Sequence, residues 1–320
     1  MSASGGTKAI IAALLANLGI AIAKFIGFLV TGASSMLAES VHSIADSGNQ
    51  ALLLLGNKRA RKSESEDRAF GYGRERYFWA FVVALVLFSL GSLFAIYEGI
   101  HKIQHPEELD SIGWAIGILL LGIVLEGGSF RTAIVEARRV KGNVRWSTYI
   151  RRSRSPEIPV VLLEDFGALI GLVLALTAII TAHVTEEPVW DGIGTLSIGI
   201  LLGIIAIVLA VEMKSLIIGE GAVPEQLQAL RDACQEAPEV TRLIHMRTQH
   251  VGPDELLVAA KVAFTPGLPT TEVADAIDAL EARMRAAVPI AEWIYIEPDL
   301  YEDGHIGHTE RDDASDGDHH

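Results

Sequence analysis

Six stretches of this chain, each about 20 residues long and almost continuously apolar, leave few folds open to it. They run approximately from Ala9 to Val30, Ser34 to Gly56, Tyr77 to Ile100, Ile112 to Val135, Val160 to His183 and Val189 to Leu209. The core helix of a water-soluble domain seldom sustains so long an apolar run, so each stretch is predicted to cross a bilayer as a helix, with its backbone hydrogen bonds closed internally. A composition of 50% hydrophobic residues and a mean hydropathy of +0.35 agree with that reading. The first stretch lacks a basic segment before its apolar run and a cleavage site after it, so it is expected to be a span and not a cleavable signal.

The basic residues alternate between connections. The linker after the second stretch carries Lys58, Arg59, Arg61, Lys62, Arg68, Arg74 and Arg76, and the linker after the fourth carries Arg138, Arg139, Lys141, Arg145, Arg151, Arg152 and Arg154. The other connections hold Lys102 and no further Lys or Arg. Positive charge is retained on the cytoplasmic side, which predicts cytoplasmic termini. Residues 1–218 are then a six-helix transmembrane domain, residues 219–300 a cytoplasmic α+β domain and residues 301–320 a disordered acidic and His-bearing tail.

Within the C-terminal part, Glu225–Glu236 and Thr271–Val288 show helical patterning, while Thr241–His250, Leu256–Phe264 and Glu292–Glu297 read as strands. Gly252-Pro253-Asp254 supplies a hairpin turn. Residues 219–320 hold 21 acidic and 7 basic side chains, whereas residues 1–218 hold 19 of each, so the whole net charge of −14 belongs to this part. Such acidity argues against a nucleic-acid partner, whose phosphates need a basic surface. The single Cys234 excludes an intrachain disulfide and any site built from Cys alone. His305, His308, His319 and His320 in the tail are potential metal donors, but a flexible tail is the expected state.

Charge inside a membrane span is costly and usually functional. In the second stretch His42 and Asp46 stand four residues apart, about 40° around a helix, so an imidazole and a carboxylate can address one cation from one face. Glu39 joins them at i, i+3 and i+7 within roughly 60° of arc. Ser43, Asn49 and Gln50 are read as polar groups that bond helices together. The fifth stretch carries Glu164 and Asp165 followed by Gly167, Ala168 and Gly171, small residues that let another helix approach. Asp165 could thus supply a third ligand. Adjacent carboxylates lie about 100° apart on a helix, so one of the two is expected to have another role.

The segment Ala38-Glu39-Ser40-Val41-His42-Ser43-Ile44-Ala45-Asp46, with the loop Phe70-Gly71-Tyr72-Gly73-Arg74-Glu75 before the third span, resembles the cation diffusion facilitator family. Ser43 to Gln50 and Val161 to Asp165 look most like the branch that contains the ninth human zinc transporter. The resemblance, which runs from about Lys8 to Asp299, implies an α-helical membrane protein with six transmembrane helices and a cytoplasmic ferredoxin- or metallochaperone-like α+β domain. It implies a homodimer in the plasma membrane that exports a divalent cation, zinc foremost, in exchange for protons, with no permanently bound cofactor. In the family a pair spaced i, i+4 on span two faces a second such pair on span five. His42 and Asp46 match the first pair and Asp165 half of the second, but Val161 stands where the fourth ligand would be. Glu39, Glu164, Glu126 from span four, or water could replace it.

Relatives that bind regulatory zinc in the C-terminal domain use His and Asp on its strands. Here His245, Glu297 and Asp299 are near such places and Ala260 stands where another His is needed, so dimerisation is expected and tight structural zinc is not. His250 and Asp191 are read as structural. No phosphate-binding Gly-x-x-x-x-Gly-Lys loop and no His-Glu-x-x-His helix occurs, which argues against a nucleotide-driven pump and an enzyme. A non-transporting metal sensor or scaffold, or a carrier of manganese, iron or cobalt, stays open.

Overall fold

A computed structural model describes residues 18–109 and 111–300. The chain divides into two compact units at the Gly219–Glu220 boundary, each with its own apolar core. The N-terminal unit contains α1 (Leu18–Thr31), α2 (Ser34–Ala60), α3 (Glu75–Gln104), α4 (Ile112–Lys141), a short α5 (Trp146–Arg152), α6 (Glu157–Thr185) and α7 (Val189–Ile218). Of the described helices, α3, α4, α6 and α7 are long and apolar enough to cross a membrane. The count of six spans is therefore not carried by length and composition alone. Helix α1 is described only from Leu18, and α2, at 27 residues, carries Glu39, His42, Asp46, Asn49 and Gln50. The start of the first predicted stretch lies outside the described residues.

Several helices extend beyond the apolar windows read from sequence, α2 to Ala60 and α4 to Lys141. Hydropathy ends where the basic residues begin, but nothing in Lys or Arg stops the backbone ladder. Helix α5 lies inside the second basic linker, where seven residues are too few to show a helical period in the sequence.

The membrane unit is apolar outward as well as inward. Ile200, Ile204, Ile207 and Val211 on α7 and Leu121 and Val124 on α4 are exposed, a distribution suited to hydrocarbon and not to water. The interior packs Met36, Leu87, Leu172, Ile198, Leu202 and Leu209, with α4 against α6, α3 against α7, and α6 against α7. Helices α1 and α2 reverse direction across Gly32 and Ala33, where Gly32 takes φ +67°, a conformation glycine adopts without a Cβ penalty. Helix α3 holds a π-helical turn over Leu87–Leu93.

The first turn of α2 is capped from elsewhere in the chain. Its N-cap residue, Ala33, has no side-chain acceptor. Buried Asp191 at the start of α7 takes its place: Oδ2 accepts from Ser34 N (2.7 Å) and Ser34 Oγ (2.9 Å), and Oδ1 accepts from Ser35 N (3.3 Å) and Ser35 Oγ. A carboxylate at a helix N-terminus satisfies orphan N–H groups and meets the positive end of the dipole.

The C-terminal unit comprises α8 (Pro224–Gln235), β1 (Val240–Gly252), β2 (Glu255–Phe264), α9 (Thr270–Ala287) and β3 (Ala291–Asp299). The α+β expectation holds, with boundaries within two residues of those read from sequence. The sheet order is β1-β2-β3, with β1 antiparallel and β3 parallel to β2. Leu256, Val258, Ala260 and Val262 alternate into a core with Leu230 and Cys234 of α8 and Leu280 and Met284 of α9. Burial pushes the Cys234 thiol up to about 12. His250 is buried, its Nδ1 3.2 Å from the carbonyl of Gly252 at the hairpin turn. The predicted disordered tail, with His305, His308, His319 and His320, lies outside the described residues.

Candidate metal site in the membrane unit

Helix α2 brings its polar stripe inside because the residues around it are small: Ala38, Ser40, Ser43, Ala45 and Ser47 are buried, and Ser40 Oγ donates to Ala21 O of α1 (3.0 Å). His42 is fully buried, and the Asp46 side chain is 15% exposed. The His42 Nε2 to Asp46 Oδ2 separation is 3.5 Å, without hydrogen-bond geometry, and among the described residues neither ring nitrogen of His42 nor Asp46 Oδ1 has a hydrogen-bond partner. Buried polar atoms are ordinarily paired, so these three atoms, together with Glu39 Oε1 on the same face, call for an explanation. A tetrahedral zinc ion with bonds of about 2.0–2.1 Å holds neighbouring donors about 3.4 Å apart. The His42–Asp46 separation matches that edge. Gly91, within the π-helical turn of α3, packs against the ring: a Cβ there would stand 3.9 Å from His42 Nδ1.

The adjacent carboxylates of α6 part company, as the helix wheel requires. Glu164 accepts from Asn49 Nδ2 of α2 (2.7 Å) and so joins α6 to α2. Asp165 faces α4 and accepts from Ser129 Oγ (2.8 Å). Glu126 of α4 lies within electrostatic range of both His42 and Asp46, and Asp165 within range of Asp46. Val161, one turn before Asp165, is half-buried.

Among the described residues, no three His, Cys, Asp or Glu side chains converge closely enough to hold a metal ion. The structure thus brings His42 to Asp46 and leaves Asp165 beside Ser129. Glu39, expected on the same stripe, is also engaged: its Oε2 is 3.0 Å from Lys24 Nζ of α1, an ion pair in which both side chains are fully buried. Lys24 donates as well to Ser43 Oγ (2.8 Å). Reading the sequence by apolar windows missed Lys24, although a lone lysine within the first apolar stretch was the available signal.

The C-terminal unit offers a parallel case. His245, Lys261 and Glu297 occupy one row across the three strands, opposite the buried face that includes Ala260. Lys261 Nζ sits 2.7 Å from Asp299 Oδ2 and 3.3 Å from Glu297 Oε1. Hydrogen bonds to Asp299 and then Glu297 raise the Lys261 pKa. Both carboxylates considered as metal donors thus already hold an ammonium.

The family model for the cation efflux transmembrane domain matches residues 10–218. The proton-coupled zinc antiporter SLC30A9, mitochondrial, of Homo sapiens is 30% identical over 263 residues, 81% of this chain and 46% of that protein. Metal tolerance protein C4 of Arabidopsis thaliana is 27% identical over 259 residues, 80% of this chain and 57% of that protein. Magnetosome protein MamB of Paramagnetospirillum magneticum is 24% identical over 280 residues, 87% of this chain and 89% of that protein. The chain spans about half the length of the SLC30A9 relatives it matches.

Proposed function

This multi-pass membrane protein belongs to the cation efflux family, and from that premise we propose that it moves a divalent metal cation, zinc foremost, out of the cytoplasm in exchange for protons. The carrying observation is the His42–Asp46 pair: Nε2 and Oδ2 stand one zinc-ligand edge apart, and both ring nitrogens of His42 and Asp46 Oδ1 lack a hydrogen-bond partner among the described residues. Relatives named as zinc antiporters support the choice of cargo. Asp165 is the third ligand in this reading. It would leave Ser129 as α2 and α6 close on the ion, and water or Glu126 would complete the set.

Coupling follows from ligand chemistry. An imidazole must be neutral and a carboxylate ionised to coordinate metal, so arrival of the cation displaces protons and its departure readmits them. Alternating exposure of one such site to the two sides then exchanges metal for protons with no nucleotide. The termini are assigned to the cytoplasm from the basic linkers, the plasma membrane is the proposed location, and a homodimer is the proposed working form. A non-transporting metal sensor is the second reading, favoured by the two-donor character of the site among the described residues.

The test is flux into proteoliposomes under an imposed pH gradient, with zinc, manganese and cobalt, for the unaltered protein beside Asp46→Ala and Asp165→Ala. Metal flux with matched proton movement, lost in both variants while they remain folded, is the expected result. No flux of any metal would favour the sensor, and undiminished flux in both variants would overturn the site.

A further inference from the structure

Lys24 is a basic residue buried beside the site on a helix that contributes none of the proposed ligands. Its ammonium is 3.0 Å from Glu39 Oε2 and 2.8 Å from Ser43 Oγ, and Ser43 directly follows His42 in the chain. Glu39 Oε1, which has no hydrogen-bond partner among the described residues, packs against α6, where a Cβ on Gly171 would run into it. Gly122 of α4 borders the lysine stem, since a Cβ there would stand 3.8 Å from Lys24 Cε. Three helices therefore form a seat for one Lys–Glu pair. A buried ion pair is costly to assemble relative to apolar side chains of the same volume, so stability alone is a weak reason to have one. Lys24 also lies within electrostatic range of His42, Asp46 and Glu126.

We propose that Lys24 is a positioning residue that determines metal selectivity: a tethered cation that keeps Glu39 out of coordination and offsets one negative charge at the site. The inference rests on the transport-site reading above and removes Glu39 from the possible fourth ligands. A sphere of one imidazole nitrogen, aspartate oxygen and water suits a borderline cation such as zinc, whereas an added glutamate oxygen favours a harder ion such as manganese. By withholding Glu39 and repelling the cargo, Lys24 also keeps the site weak enough to release the ion.

The experiment is equilibrium binding of zinc and of manganese, separately and at one fixed pH, to the full chain purified in detergent. It compares the unaltered protein with Asp46→Ala, Lys24→Met, and Lys24→Met combined with Glu39→Gln. Lys24→Met is expected to bind manganese at least tenfold more tightly, with a smaller gain for zinc. The double variant is expected to return to within threefold of the unaltered protein for both metals. A purely structural ion pair would leave the manganese-to-zinc ratio unmoved. Unchanged or weaker manganese binding in Lys24→Met overturns the proposal. If that variant fails to fold, the double variant decides: affinity tenfold or more below the unaltered protein would make Glu39 a ligand and refute the proposal. Unaltered protein whose metal binding is absent, or indifferent to Asp46→Ala, would sink the transport site itself and this inference with it.

Discussion

Replacing Asp191 by alanine removes the acceptor for four donors at the start of α2, and the cost can be assembled from the contacts. The hydroxyls of Ser34 and Ser35 can rotate, and Ser34 Oγ already has Thr195 Oγ1 at 3.0 Å, so they lose little. The backbone N–H groups of Ser34 and Ser35 cannot turn away, and with Ala33 before them no local side chain replaces the acceptor. Leaving a buried donor unpaired costs about 1–3 kcal/mol, and losing a helix cap costs about 0.5–2 kcal/mol by a measure that counts part of the same loss. About 3 kcal/mol in total is a central figure. For a unit of this size that lowers the thermal midpoint by roughly 6–12 °C. The assay is thermal unfolding of the detergent-purified protein, with Ser34→Ala/Ser35→Ala as the comparison. The double serine variant keeps the two N–H bonds and should fall by less than half as much. A shift below about 2 °C for Asp191→Ala, or an equal loss from the serines alone, would refute the argument that backbone capping ties α7 to α2.

Val161→His places a second imidazole one turn from Asp165 and restores an i, i+4 pair on α6. Zinc affinity should rise about tenfold or more in the same binding titration, and no gain would mean that Val161 does not face the ion. Cys234, buried in the C-terminal core with its thiol pushed up from 9.0 to about 12, should resist thiol reagents at pH 8 until the protein is unfolded. The folded state disfavours the thiolate, so the Cys234 contribution is fully present below pH 9.0 and is lost as pH climbs toward about 12. Alkaline unfolding of Cys234→Ser that showed the same pH dependence would contradict that assignment.

How far the sequence could be read depended on whether a feature leaves a local pattern. The C-terminal helices and strands were legible to within two residues because amphipathic periods and the Gly252-Pro253-Asp254 turn are written in neighbouring residues. The wheel geometry of Glu164 and Asp165 was equally local, and the two do face different helices. Asp191 was recognised as structural, but its partners are 156 and 157 residues away, and only the packing of α7 against α2 discloses them. Lys24 was averaged out by the hydropathy window that found its helix. Glu39 was assigned to the correct stripe, yet a wheel cannot show that another helix holds a lysine against it.

The π-helical turn in α3 changes how that span counts. Its buried residues are Tyr77, Ala80, Val83, Ala84, Leu87, Gly91, Ser92, Ala95, Gly99 and Lys102, and within them the row Leu87, Gly91, Ala95 and Gly99 advances by steps of four from the start of the turn. The extra residue keeps one stripe facing inward along the whole helix. Deleting one residue between Leu87 and Leu93 would leave both halves of the span facing as they do, whereas winding Leu87–Leu93 as ordinary α-helix with no residue removed would rotate one half by about 100° relative to the other. Gly99 would turn off the backbone of Leu196, and the Lys102 ammonium would leave the Gly32 carbonyl it reaches at 3.1 Å. Alignments of this span should therefore place a single-residue gap in that turn wherever a relative lacks it, since the same letters beyond it would otherwise describe faces about 100° apart.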